Sequence, residues 1–397
     1  MKDLFIRNIC MPFIFIGIFF AGRQSVNRVF QPVLGDFGEY ITISLLCSFL
    51  LLIAVLPYSE RIKKKCLLYC GVNFLLTLVF ILFSLFTVVW TVGGEYATEK
   101  FAMLLNLFFI IVFLGLSSYI IKYDLLISII RSMVNILVLF AVFYIFINFY
   151  SGSASSGERL GIAGSGSITI GRVFSFAAIC AFYFLIENRE KKQALKFIIF
   201  LLAVFASGSR GNFIYLVIST GGLIFLSNRI TFSDKIKLFA ILVSIIFFSF
   251  LILLVEYGSF KEIPFIYRYL IMFNTDESNL SILVRFEKYI VAYNMFLENY
   301  WGWGIGSYPE FTTSSDVIDY PHNVILEVLA ELGVLGFLLF STVVLLNILS
   351  LRKMDNLLFL LFVFSLLTAQ SSGDLYDARL IFILPLFYTV KARSKCF

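Results

Sequence analysis

Long apolar segments recur along the whole chain, and most are long enough to cross a lipid bilayer. A membrane-spanning helix needs about 20 apolar residues, because the hydrocarbon core is roughly 30 Å thick and each helical residue rises about 1.5 Å. Of the 397 residues, 60% are hydrophobic and only 14% are charged. Polar side chains are therefore too few to cover a soluble globule. The sequence predicts an all-α polytopic membrane protein, with one integral membrane domain over residues 1–397.

The apolar runs predict about twelve transmembrane helices. Their approximate limits are 4–22, 40–57, 66–92, 101–121, 125–150, 172–186, 194–207, 211–227, 237–255, 322–349, 356–372 and 378–391. The longest connection, 256–321, contains apolar residues at helical spacing over 282–297, so we predict a large, partly helical loop. The first run is not followed by a small-residue cleavage site, and no cleavable signal peptide is expected.

Lysine and arginine residues are concentrated in alternate connections. With the N-terminus inside, the inside segments hold most of the 31 basic residues, which predicts cytoplasmic termini and an extracytoplasmic loop 256–321. The net charge of +6 follows from this sorting; because the basic residues are dispersed, no nucleic-acid partner is expected. The six cysteines lie in or beside apolar runs or at the C-terminal tail, so neither a disulfide framework nor a metal site is predicted.

The single histidine, His322, lies where the longest loop enters an apolar helix. Asn323, Glu327 and Glu331 follow at intervals of four residues and share one stripe of that helix. Carboxylates in a membrane helix are costly unless they face a bundle interior or a wet cavity. Two interpretations stay open. This stripe is a functional site, or His322 only marks the helix start and the glutamates pair with arginines for stability.

The turn at 207–212 contains Arg210 and follows a predicted span of about 14 apolar residues. Such a helix is roughly 21 Å long, shorter than the hydrocarbon core, so we expect Arg210 to lie in a recess below the outer surface. An arginine there requires an anionic partner, which is either Glu327 or Glu331 or a substrate phosphate. The alternative is an interfacial arginine that reaches the lipid head groups.

Two other stretches contain candidate substrate contacts. Residues 151–171 are rich in glycine and serine but lack the Gly-Lys-Ser/Thr ending of a phosphate-binding loop. A mobile loop is predicted there, with Arg159 and the adjoining Arg172 as candidate anion contacts. Residues 301–309 form a glycine-broken turn in which Trp303 is suited either to stacking on a sugar or to anchoring at the membrane interface.

Three motifs, taken in order, resemble those of the O-antigen ligase and O-antigen polymerase superfamily of bacterial envelope enzymes. They are Ser207-Gly-Ser-Arg-Gly211 with ten residues between Arg210 and Gly221; Val284-Arg-Phe-Glu-Lys-Tyr289 with Ala292, Phe296 and Gly302-Trp-Gly-Ile-Gly306; and His322-Asn323 followed after nine residues by Gly333 and after two more by Gly336. The region that carries the motifs covers about 207–336. Their order, spacing and predicted common side of the membrane make the combination specific.

The resemblance implies a metal-independent glycosyltransferase of the lipid-dependent membrane class, with no cofactor. The donor would be a glycan on undecaprenyl pyrophosphate, used at the periplasmic face of a bacterial inner membrane. Arg210 and Arg285 would stabilise the diphosphate leaving group, and His322 would deprotonate the acceptor hydroxyl. The remaining substrate contacts would come from Tyr320, Asn323, Glu327, Trp303, Arg159 and Arg172.

The acceptor separates two activities of this class. It is another lipid-linked repeat unit in a polymerase of O-antigen or another surface polysaccharide, which we favour, and lipid A-core in an O-antigen ligase. A chain-length regulator and a flippase are candidate partners. A flippase or transporter of lipid-linked oligosaccharide is the alternative from another class. Transporters of this size often contain two similar halves, and no such repeat is found here, so we favour an enzyme.

Overall fold

The computed structural model describes residues 9–25, 41–56, 71–118, 120–150, 166–240, 244, 275–312, 319–388 and 390. The helices, numbered in chain order, are α1 (Met11–Phe20), α2 (Ile43–Val55), α3 (Gly71–Phe86), α4 (Glu95–Ser118), α5 (Tyr123–Tyr150), α6 (Ser167–Glu187), α7 (Lys192–Ala206), α8 (Arg210–Leu226), α9 (Thr275–Glu298), α10 (Val324–Met354), α11 (Asn356–Ala369) and α12 (Leu380–Ile383). The described β-structure is one isolated bridge, between Ser25 and Thr42.

Within the described ranges, five helical segments are long and apolar enough to cross a membrane: Gly71–Trp90, Glu95–Ser118, Tyr123–Asn148, Ser167–Glu187 and Val324–Lys353. Shorter apolar helices are Met11–Phe20, Ile43–Val55, Arg210–Leu226 and Asn356–Ala369. Large apolar side chains on these helices, such as Leu139 and Phe146, are exposed and are suited to contact with lipid. The prediction of an all-α polytopic membrane protein is therefore confirmed.

Most predicted spans correspond to observed helices. The first eight become α1 to α8, the runs at 322–349 and 356–372 become α10 and α11, and the amphipathic segment of the long loop becomes α9. The predicted span 378–391 is instead divided between α12 and a 3₁₀ turn, Leu384–Phe387, at Pro385, because proline removes a backbone donor and crowds the preceding turn. Most of the predicted span 237–255 lies outside the described residues.

The chain divides into two compact units, Met1–Ile129 with Leu283–Phe397, and Ile130–Ile282. In the first unit, α2 packs on α1 and α4, α3 packs on α4 and α10, and α10 packs on α11. In the second unit, α6 packs on both α7 and α8. His322 and Arg285 belong to the first unit, whereas Arg172 and Arg210 belong to the second.

Helix α10 is broken at Gly333, whose backbone is left-handed (φ 67°). The break frees backbone groups that an unbroken helix would pair internally. The segment 300–306 pairs with them: the amide of Val334 donates to the carbonyl of Tyr300 (2.9 Å), the amide of Trp303 to Ala330 (3.1 Å), and the amide of Gly304 to Glu331 (2.8 Å). The broken helix and the glycine-rich turn therefore form one hydrogen-bonded structure.

Two motif glycines are required by this close approach. Gly302 has φ 83°, and a Cβ atom added to it would lie 2.5 Å from the carbonyl oxygen of Glu331 and 2.5 Å from the backbone nitrogen of Gly333. A Cβ atom at Gly333 would lie 2.3 Å from the carbonyl carbon of Trp301. Only glycine, which has no Cβ and accepts positive φ, allows both backbones to approach this closely.

We predict that Gly302→Ala lowers the thermal unfolding temperature of the detergent-purified protein more than Gly22→Ala does. Both positions have positive φ, so both alanines carry a backbone cost of about 1–3 kcal/mol. No described atom lies within 4 Å of a Cβ built at Gly22, so the difference between the variants isolates the contact with α10. Equal unfolding temperatures would contradict this role for Gly302.

Candidate active site

His322 immediately precedes α10, and its backbone is left-handed, with φ 57°. Asn323 caps the helix: its Oδ1 accepts from the amides of Ile325 (3.0 Å) and Leu326 (3.1 Å). The Nδ2 of Asn323 donates to the carbonyl of Gln370 (3.4 Å). A left-handed conformation costs a residue other than glycine about 1–3 kcal/mol and persists where the surroundings fix it. The cap is one of the contacts that hold His322 in this conformation.

Tyr320 lies between His322 and a buried ionic cluster. The two rings meet edge to face with their centroids 4.5 Å apart. The guanidinium of Arg23 lies 5.6 Å from the centroid of the Tyr320 ring, within the range of a cation–π contact. Arg23 pairs through Nη2 with Oδ2 of Asp374 (2.5 Å), and its Nε lies 3.8 Å from Oδ1 of Asp377.

The Arg23–Asp374 ion pair is ionised at neutral pH. Burial works to raise the pKa of Asp374, but the cations of Arg23 and Lys100 outweigh it and lower that pKa to about 2. For Arg23, burial works to lower the pKa, whereas the carboxylates of Asp374 and Asp377 raise it above its ordinary value. The hydroxyl of Tyr96 also donates to Oδ2 of Asp374 (3.0 Å), so α4 contributes to the same cluster.

Lys100 of α4 pairs with both glutamates of the predicted stripe. Its Nζ contacts Glu327 and lies 2.6 Å from Oε2 of Glu331, and all three side chains are at most 2% exposed. Glu327 Oε1 also accepts from the amide of Leu375 (3.2 Å). The sequence therefore located the stripe correctly but not its partner: the described cation beside both glutamates is a lysine, where the sequence-based interpretation expected arginines.

Helix α9 brings Arg285 to the loop that contains His322. Tyr289, one turn after Arg285, donates to the carbonyl of Gln370 (3.4 Å), the same carbonyl that accepts from the cap of α10. Lys288 pairs with Asp319, three residues before His322. Because residues three and four apart share a helix face, the partly exposed Arg285 lies on the side of α9 that these contacts hold against the loop.

The side chain of Trp303 makes contacts within the protein, whereas the sequence left its role open between stacking on a sugar and anchoring at the membrane interface. Its indole Nε1 donates to the carbonyl of Met295 (2.8 Å), and its ring centroid lies 4.8 Å from that of Phe311. These contacts fasten the glycine-rich turn to α9. The proposed stacking of Trp303 on a sugar stays a prediction, as does the role of Arg159, which lies outside the described residues.

In the second unit, Arg210 is the first residue of α8. Helix α7, which precedes it, has 15 residues and a length of roughly 22 Å. Helix α6 approaches the connecting turn at Gly171, where a Cβ atom would lie 2.7 Å from Nδ2 of Asn212 and 2.8 Å from Oγ of Ser207. Arg172, the second candidate arginine, is the next residue of α6 after Gly171.

The start of α8 is an unusual place for an arginine. The partial positive charge at a helix N-terminus disfavours a cation but favours an anion. Both Arg210 and Arg172 are partly exposed, and Arg210 adds its charge to the positive potential of the first backbone amides of α8. Their fixed donor geometry suits two-point contacts with phosphate oxygens. The arrangement can therefore bind an anionic group.

We predict that Lys100→Met destabilises the protein by about 3–5 kcal/mol, because it leaves two buried carboxylates without their cation. Thermal unfolding in detergent measures the effect. Adding Glu327→Gln and Glu331→Gln to that variant should recover much of the loss. Lys237→Met, which removes an exposed lysine beside Asp234, is the control and should change the unfolding temperature little. An unchanged unfolding temperature of the Lys100→Met variant would show that this cluster does not stabilise the fold.

Comparison with known sequences agrees with the motifs. Residues 195–341 match the family described as O-antigen ligase, and no curated protein matches the chain. The matched range contains α8 with Arg210, α9 with Arg285, His322, and the first part of α10 with its break at Gly333. Over these residues the chain is therefore similar to the O-antigen ligase family, which confirms the resemblance stated from the motifs.

Proposed function

We propose that the protein is a membrane glycosyltransferase that moves a glycan from undecaprenyl pyrophosphate onto an acceptor hydroxyl, without a metal ion. The observation that carries the proposal is the placement of His322. The chain's single imidazole lies in a left-handed conformation at a capped helix start, beside the arginine-bearing helix α9 and within the family match. Its position in the chain also agrees with the His-Asn motif of the resemblance.

The reaction assigns His322 the role of general base. The acceptor hydroxyl attacks the anomeric carbon of the donor, its proton passes to the imidazole, and the bond from that carbon to the diphosphate breaks. The lipid diphosphate leaves with the bonding electron pair. Because one base activates one nucleophile and no enzyme-bound sugar is required, direct displacement with inversion at the anomeric carbon is the expected outcome.

Arginines are proposed to stabilise the diphosphate as its charge develops. Arg210 lies at the start of α8, where backbone amides also favour an anion, and Arg172 belongs to α6, which packs against α8. Arg285 is carried by α9 beside the loop of His322. A guanidinium stays charged at every relevant pH and offers paired donors, so these residues suit a leaving group whose charge changes during transfer. Tyr320, Asn323 and Glu327 are further proposed contacts of the substrates.

We favour polymerisation of lipid-linked repeat units into O-antigen or another surface polysaccharide at the periplasmic face of the inner membrane. The family description supports ligation to lipid A-core as the second candidate. Both reactions use the same donor and the same proposed base, so they differ only in the acceptor. The charge sorting of the connections supports the proposed orientation, with both termini in the cytoplasm and loop 256–321 outside.

Purified protein in detergent separates these candidates. It is incubated in EDTA with a lipid-linked oligosaccharide alone, or with that donor and lipid A-core. Lengthened lipid-linked product from the donor alone identifies a polymerase, and product on lipid A-core identifies a ligase. A flippase makes neither product, since it only moves its substrate across a sealed bilayer. Absence of both products under these conditions would refute the proposed glycosyl transfer.

We predict that His322→Ala and His322→Gly each lower the rate of product formation about 10²–10⁴-fold, the usual contribution of a general base. The glycine variant is the sharper test. Glycine accepts φ 57° without strain, so this variant should unfold at a temperature no lower than that of the alanine variant. Loss of activity in a stable glycine variant isolates the imidazole. A glycine variant with normal activity would rule out His322 as the base.

We predict that Arg210→Lys lowers activity about tenfold to a hundredfold, because an ammonium cannot reproduce the paired donors of a guanidinium. Arg229→Lys is the matched control. Arg229 follows the other end of α8, its side chain is 68% exposed, and it lies 4.0 Å from Glu187, so this exchange should leave activity near that of the unaltered protein. Full activity of the Arg210→Lys variant would contradict the phosphate-binding role and leave Arg210 as an interfacial residue that contacts lipid head groups.

A further inference from the structure

We propose that Arg23 is a positioning residue for His322 and acts through the ring of Tyr320. The kinetic part of this inference rests on the proposed function, whereas the structural part does not. Arg23 lies between α1 and α2, far in sequence from His322, and none of the three motifs includes it. The geometry nevertheless connects the two residues through a single aromatic ring.

Carboxylates fix the guanidinium in place. Asp374 lies 2.5 Å from Arg23 Nη2, Asp377 lies 3.8 Å from Nε, and Glu99 lies 3.9 Å from Nη1. These groups come from α4 and from the connection between α11 and α12. The negative charges of these carboxylates offset the positive charge of the guanidinium, so Arg23 attracts a substrate anion only weakly. Its side chain is only 21% exposed, which further favours an internal role.

The ring of Tyr320 contacts both Arg23 and the imidazole of His322, so a shift of Arg23 moves the ring against which the imidazole packs. The guanidinium lies 5.6 Å from the ring centroid, and the imidazole meets the same ring edge to face at 4.5 Å. Both the cation–π contact and the edge-to-face aromatic contact stabilise this arrangement of the three side chains. Because His322 has a strained backbone, its ring orientation depends on such neighbours. A base displaced by about 1 Å can lose up to 10²-fold in rate.

The single histidine permits a direct structural test. Protein labelled with ¹³C-histidine and purified through a histidine-free tag gives one imidazole signal, which the ring current of Tyr320 shifts. We expect Tyr320→Leu to remove this shift and Arg23→Gln to move the signal in the same direction. Arg23→Lys keeps a cation and should move it less. Tyr320→Phe keeps the ring and should retain most of the shift.

The kinetic test is a double-mutant cycle in the glycosyl-transfer assay. Arg23→Gln should lower kcat roughly 10–100-fold with little change in KM, because the reacting groups still bind but are misaligned. Arg23→Gln should have little additional effect in protein that already carries Tyr320→Leu, since the ring through which it acts is gone. Unfolding temperatures recorded in parallel separate this effect from loss of fold.

Arg379 supplies a matched control. Its guanidinium lies 5.5 Å from the ring centroid of Tyr376 and its Nη2 donates to the carbonyl of Phe19 (3.0 Å), so it is a second arginine that contacts a tyrosine ring in the same unit. Arg379→Gln should leave the imidazole signal in place, and its effect on kcat should multiply independently with that of Tyr320→Leu.

An unmoved imidazole signal in folded Arg23→Gln protein, or independent effects of Arg23→Gln and Tyr320→Leu on kcat, would overturn the inference. Failure of the proposed function gives a different result. The unaltered protein would then form no product with either acceptor, while the imidazole signal would still report whether Arg23 positions His322.

Discussion

The interruption of α10 at Gly333 is the constraint on which the organisation of the first unit depends. Within a membrane protein, backbone groups released from a helix must find partners inside the protein, because lipid offers none. The segment 300–306 provides those partners through three backbone hydrogen bonds. This pairing fixes the end of α9, which directly precedes the turn. It also fixes the first part of α10, which begins two residues after His322. The glycine spacing of the motif thus follows from backbone geometry.

A second constraint is the buried charge along the same part of α10. Lys100 pairs with both Glu327 and Glu331 and lies 5.6 Å from the ring centroid of Tyr96. The hydroxyl of Tyr96 donates to Asp374, and from there the cluster continues to Arg23 and Tyr320. Removing one member leaves an uncompensated charge, so such clusters make one arrangement of helices far more favourable than its alternatives. A continuous series of side-chain contacts therefore connects the charged groups that stabilise the packing with His322, the proposed base. The same network that holds the helices together also determines the surroundings of the imidazole.

Local properties of the sequence predicted most of the helices, because segment length and hydropathy decide whether a run can cross a bilayer. Helical periodicity likewise predicted the shared face of Glu327 and Glu331. Their partner could not be read from the sequence, since Lys100 lies 227 residues from Glu327 and nothing in its own segment indicates which helix it meets. Arg23 was missed for the same reason: pairing with Asp374 depends on tertiary structure. The family resemblance identified the glycine pattern. It did not predict that the glycine-rich turn pairs with the backbone of a broken helix.

The left-handed backbone of His322 bears on the choice between the functional histidine that we propose and one that only begins a helix. Glycine or asparagine adopts positive φ at lower cost, and Asn323 already caps α10, so neither the turn nor the cap requires an imidazole at this position. A strained side chain is retained where its chemistry is needed and the surroundings fix it. The Asn323 cap, the ring of Tyr320 and the ionic cluster behind that ring provide such surroundings. The strain at His322 is therefore in keeping with the proposed role of its imidazole in proton transfer.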